Sequence, residues 1–150
     1  MTKHVALITW AGLPHGAASE RLLLPLLAAA GVNAKIVTWS DPAIDFSGFD
    51  LIVLRSCWDY HLRDAEFIEW LTRTARATPI ANDLETVLWN RNKAYLEELA
   101  SQRIEIPSTI FINAQSTLPM QIQRWEKIVV KPAVSASAHK TWLYARDSLP

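Results

Sequence analysis

The sequence predicts an α/β protein: a mostly parallel sheet covered by helices on both faces in the doubly wound manner, followed by a smaller α+β piece. Three observations predict this. Short apolar runs with β-branched members alternate with helical segments through the first half of the chain. The runs are apolar throughout rather than alternating, as expected of parallel strands buried on both faces. The chain has 150 residues, 50% of them hydrophobic, enough for a real core.

Taken in order, residues 4–9 read as a buried strand followed by a Gly/Pro loop at 10–16. Residues 19–30 read as a helix stopped by Gly31, and Pro25 inside it predicts a kink or a late start. Strands are expected at 34–38 and 51–54, with turn material at Asp41-Pro42 and Ser47-Gly48 between them. Residues 64–76 form a clean amphipathic pattern in which Phe67, Ile68, Leu71 and Ala75 share a face and Asp64 stands as N-cap. A short fourth strand is expected at 78–81.

From Asn82 the texture changes, which predicts one domain at 1–82 and a second at 83–150. Helical pieces are expected at 84–88 and 91–101, separated near Trp89-Asn90. A strand follows at 108–112 after Pro107, then a short helix around 118–125 and strands at 128–131 and 140–145. The run to Ser148-Leu149-Pro150 leaves few residues to close a second core. The second piece is therefore expected to be incomplete, with apolar surface at 83–150 that favours self-association into a homo-oligomer.

Composition excludes several function classes. Fifteen Lys and Arg balance fifteen Asp and Glu, and the two halves carry −1 and +1, so no field steers the chain toward nucleic acid or a membrane surface. The longest apolar stretch, residues 22–32, contains Pro25 and falls well short of the roughly 20 residues of a membrane helix. Residues 5–8 are too short for a signal sequence, and Cys57 is the single cysteine, so a reducing, cytoplasmic setting is expected. Histidines 4, 15, 61 and 139 show no metal-ligand spacing. The four glycines, at 12, 16, 31 and 48, exclude a Walker A loop and a Gly-x-Gly-x-x-Gly fingerprint, so a nucleotide site must use side chains. A phosphoacceptor receiver needs an acidic pair after its first strand and an aspartate closing its third, where this chain has Thr9-Trp10 and Arg55.

In parallel α/β sheets ligands bind beyond the carboxyl ends of the strands, which points to the loops at 10–15 and 55–60. The second loop, Arg55-Ser56-Cys57-Trp58-Asp59-Tyr60, combines aromatic surface with a guanidinium suited to gripping a carboxylate. Arg55, Trp58, Asp59 and Tyr60 are its candidate substrate-binding residues. The bland alternative is a local Arg55–Asp59 ion pair with Trp58 and Tyr60 packed under the next helix. Cys57 reads as filler, because a nucleophilic thiol needs a base or cation and only His61 is close in sequence. In the second half, Lys93 falls in the first turn of a helix and Lys131 closes an apolar strand before Pro132. A lysine at a buried strand end costs desolvation unless an anion such as phosphate meets it. A solvated Lys93 and a Lys131 paired with a glutamate remain the alternatives.

The strings at 88–96, 106–109 and 128–137 together resemble the ATP-grasp superfamily. Upstream, Trp39-Ser40-Asp41-Pro42 and the 55–60 loop look like the Rossmann-like pre-ATP-grasp domain of the branch holding glutathione-synthetase-like enzymes and the O-ureido-serine cyclo-ligase. The resemblance covers the first half of such an enzyme. It implies an ATP-dependent ligase: a carboxylate is activated as acyl phosphate, and an amine-type nucleophile displaces the phosphate. By position it makes Lys93 and Lys131 the nucleotide-phosphate lysines, and residues 133–141 the loop over the phosphates, with Ser135 and Ser137 as donors. It implies ATP and a small amino-acid-like substrate as partners, and Mg²⁺ held by ligands outside this chain, since Asp147 is the one candidate carboxylate after Lys131. The isolated chain is accordingly expected not to turn over ATP at a ligase's rate. The competing expectation is a non-catalytic module that holds a small acid at the 55–60 loop.

Overall fold

The computed structural model describes residues 2–113, 120–145 and 148. Two compact units divide after Trp89. In the first, β1 (Lys3–Thr9), α1 (Ala18–Ala29), β2 (Val32–Thr38), β3 (Leu51–Ser56), α2 (Asp64–Ala77) and β4 (Ile80–Ala81) follow in chain order. The four strands form one parallel sheet in the order β2-β1-β3-β4, which confirms the α/β reading of this half.

The core is aromatic on one side of the sheet. Ile8 and Ile52 are fully buried in the central strands, and Phe67, Trp70 and Leu71 of α2 pack with Trp39 and Val37. Trp39 meets Phe67 edge-on at 5.5 Å between ring centroids, and Phe46 meets Trp70 at 5.3 Å. Of the face anticipated for α2, Phe67 and Leu71 are buried and Ile68 and Ala75 only partly so; the buried face is centred instead on Phe67, Trp70, Leu71 and Thr74. Its cap differs from expectation: Asp64 is the first helical residue and Arg63 holds the N-cap position.

Helix α1 passes through Pro25 and starts at Ala18, so no late start occurs. Gly31 ends it with φ +77°, a conformation that favours glycine. The helix keeps Leu22 and Leu26 exposed and buries only Glu20.

Helix α3 (Leu84–Arg91) begins in the first unit, where Leu84, Val87 and Leu88 pack against its core. In the second unit, α4 (Tyr95–Ser101) is followed by β5 (Lys127–Val130) and β6 (Trp142–Ala145), which form an antiparallel pair. The break between α3 and α4 falls at Asn92–Ala94 rather than near Trp89-Asn90, because the Asn92 side chain accepts from the Ala94 N–H at 3.0 Å and turns the chain. Lys93 therefore lies in this turn, not in a helix. Residues 108–112 carry no strand ladder: β5 pairs with β6, and the segment lines a cavity beside β5. A single 3-10 segment, Met120–Arg124, occupies part of the expected 118–125 helix; Leu118 and Pro119 lie outside the described residues, as does Asp147.

Candidate functional site

In the strand order β2-β1-β3-β4 the connections leave β1 and β3 in opposite directions, and the carboxyl ends of these two strands are where such sheets bind ligands. The register changes at this end. Ile8 pairs with Leu54 and Thr9 with Ser56, so Arg55 is an extra residue on β3. A bulge of this kind breaks the alternation of side chains and re-aims them. Two consecutive residues consequently approach one carboxylate oxygen: Ser56 Oγ donates to Oε1 of Glu20, and Arg55 Nε lies 3.9 Å from the same atom.

Glu20 comes from the first turn of α1 and is 2% exposed. Its other oxygen accepts the Ala17 backbone N–H, which ties the loop after β1 to the helix start. Gly16 sits at φ +67°, and a Cβ there would lie 2.7 Å from Glu20 Oε2, so the loop needs glycine to admit the carboxylate. The Thr9 hydroxyl donates to the Leu13 carbonyl at 2.9 Å and holds the loop's middle.

The rest of the 55–60 loop divides by exposure. Arg55 and Trp58 reach solvent. Asp59 is buried and accepts from Trp39 Nε1 at 2.8 Å, while the Arg63 guanidinium lies 4.7 Å above the Trp39 ring. Tyr60 packs against Phe67 beneath α2. Arg55 pairs with Glu20, so the local Arg55–Asp59 pair gives way. Burial, and next the charge of Asp59, push the Cys57 thiol up to about 12, which leaves it protonated at neutral pH and without nucleophilic character.

The second unit brings both lysines together. A cavity of about 440 Å³ is walled by Ile110, Phe111, Trp125, Ile128 and Val130 and includes Lys93 and Lys131 in its lining. Lys93 is pinned from two sides: its N–H donates to the Ala133 carbonyl at 2.9 Å and its Nζ to the Ser135 carbonyl at 2.7 Å. Its ammonium pKa is held below the ordinary lysine value by burial first and by the like charge of Lys131 second. Two cations set in one apolar cavity favour an anion.

Residues 133–141 close beside them. Ser135 is buried and its hydroxyl donates to the His139 carbonyl at 2.8 Å, while Ser137 is exposed. Ser137, Ala138 and Lys140 have φ of 50°, 57° and 49°, the left-handed region that glycine adopts freely and these residues do not. A glycine-like backbone is thus built here without glycine.

Sequence reasoning missed Glu20. The available signal was the one acid of the helix sequence, three residues after the loop's Ala17 and just before the apolar run that begins Leu22-Leu23-Leu24.

Residues 5–82 match the family model for the N-terminal domain of D-cycloserine synthetase DcsG. The chain belongs to this DcsG family. It is 34% identical over 90 residues to the cycloserine biosynthesis protein DcsG of Streptomyces lavendulae, covering 57% of this chain and 30% of that protein. The crystal structure of D-cycloserine synthetase DcsG superimposes with a TM-score of 0.85 at 26% identity, over 96% of this chain and 51% of that one. The chain thus spans about half the length of the solved DcsG protein. Among the described residues, no helix is long and apolar enough to cross a membrane.

Proposed function

We propose that this chain is the substrate-binding and phosphate-binding half of an ATP-grasp ligase that makes a carboxylate reactive as an acyl phosphate for attack by an amine-type nucleophile. A carboxylate oxygen would attack the γ-phosphorus and release ADP; the nucleophile's nitrogen would then attack the acyl carbon and expel phosphate. In this reading Lys93 and Lys131 hold the nucleotide's phosphates, and the end of β3 holds a small amino-acid-like acid. The observation that carries it is the pair of lysines in one apolar-walled cavity, with Lys93 desolvated beside a like charge. The relationship to a protein named D-cycloserine synthetase supports a biosynthetic, ligase-related role.

Mg²⁺ has a weaker claim on these residues. Phosphoryl transfer ordinarily uses Mg²⁺ held by carboxylates, and among the described residues no group of three or more His, Cys, Asp or Glu stands ready to hold a metal.

Calorimetry of the full chain with ATP tests the proposal. Saturable binding weakened roughly tenfold to a hundredfold by Lys131→Ala, the range for a lost hydrogen bond to a charged group, is the expected result. No heat at millimolar ATP would overturn it and favour the non-catalytic small-acid module.

A further inference from the structure

We infer that Glu20 is the positioning residue of a carboxylate-binding site at the β1/β3 end of the sheet, holding the Arg55 guanidinium so that its outer nitrogens present to a ligand carboxylate. The inference deepens the small-acid part of the proposed function and rests on it. Three observations converge. Glu20 is a buried carboxylate, and the Arg55 guanidinium is its one salt-bridge partner among the described residues. A register shift turns Arg55 and Ser56, which strand alternation would send to opposite faces, toward the same oxygen of that carboxylate. The contact is an ion pair at 3.9 Å through Arg55 Nε, and the Arg55 side chain stays 39% exposed, open to a ligand carboxylate that a guanidinium can grip in bidentate fashion.

Simple electrostatics and positioning predict opposite outcomes. Were Glu20 only a counter-charge, removing it would strengthen anion binding at Arg55, because a competing negative charge would be gone. If it positions the guanidinium, removing it weakens binding, since the fork is no longer pre-oriented. The geometry favours the second, as the carboxylate is itself fixed from behind by Ala17 and Ser56.

The probe is serine, both enantiomers, against serinol, in which CH₂OH replaces the carboxylate, titrated by NMR into the full chain. Glu20→Gln keeps the side chain's size and one of its two acceptor oxygens while removing the charge, and should weaken serine about tenfold with serinol unaffected. In an Arg55→Lys background, Glu20→Gln should have no further effect, the signature of coupled residues. Equal weakening of serine and serinol, or the same loss in both backgrounds, would mean a merely structural role and overturn the inference; tighter serine binding in Glu20→Gln would overturn it as well. The Arg55 Nε–H resonance of the ligand-free protein separates the two claims. If serine fails to bind or binds independently of Arg55, the small-acid reading falls. If that resonance is equally mobile with and without Glu20, the positioning role falls regardless of ligand.

Discussion

Between Val5 and Leu71 the first unit buries eleven hydrophobic residues, whereas in the second unit Ser135 is the one buried residue among those described. The first unit is held by a parallel sheet with an aromatic layer under α2. The second has a two-stranded antiparallel pair whose Val129 and Leu143, opposite each other on one face, are 57% and 65% exposed. An isolated pair of strands is marginal in water, so the second unit's order depends on specific polar contacts such as those of Lys93. Truncations in the aromatic core of the first unit should therefore register in stability, and substitutions of the second unit's cavity lysines in ligand binding.

Truncating one apolar side chain in each unit separates a packed core from an exposed strand face. Trp70→Ala should cost about 3–5 kcal/mol in urea unfolding, the range for deleting a buried aromatic. Val129→Ala should stay within about 0.5 kcal/mol, as for an exposed site. Equal costs would show that the second unit owns a core comparable with the first.

A smaller effect follows from Lys93, whose ammonium is lowered in pKa by burial and by Lys131. Below that lowered value both folded and unfolded chains hold the proton, and its desolvation fully opposes folding. As pH rises from the lowered value toward the ordinary lysine value, the unfolded chain binds more protons and stability rises. An anion in the cavity reverses the shift. ATP binding should therefore take up as much as one proton at alkaline pH and weaken as pH climbs, read from calorimetry in buffers of different ionisation enthalpy. A proton release, or an uptake unchanged in Lys93→Met, would place the nucleotide elsewhere.

The smallest expected effect concerns backbone strain. Ala138→Gly, at φ +57°, should stabilise the second unit by about 0.5–1 kcal/mol, because the relief of a left-handed alanine exceeds the entropy that glycine adds to the unfolded chain. Thermal unfolding checks it; destabilisation would mean that the alanine methyl group makes packing contacts worth more than the strain.

Much of the first unit was legible because its signals are local. The apolar run ending at Thr9, the spacing of Phe67 and Leu71, and Gly31 each act within a few residues. What escaped depends on partners distant in sequence. The Arg55 bulge exists only relative to β1, and the buried state of Glu20 only relative to Ser56, 36 residues later. Residues 108–112 have strand-like composition, yet composition cannot supply a ladder partner, and the chain uses the segment as a cavity wall instead. Of the candidate substrate-binding residues, Arg55 and Trp58 face solvent, while Asp59 and Tyr60 are absorbed by Trp39 and Phe67. Hydrogen-bonding capacity was readable from residue type; which partner takes it up was not.

The first strand of this sheet in chain order is also one of its two central strands, flanked by β2 on one side and β3 on the other. During synthesis β1 must wait, with its apolar side chains unshielded, until Ser56 has emerged to complete the second flank and α2 has followed to cover it. At about 5–20 residues per second this interval lasts on the order of several seconds. The sheet cannot grow outward from its first strand as a hairpin-built protein can, and every pairing it makes closes a long loop. Slow, late and nearly simultaneous assembly of the first unit is thus written into the order β2-β1-β3-β4, and a chaperone that shields residues 3–9 would act at the step where this chain is most exposed to aggregation.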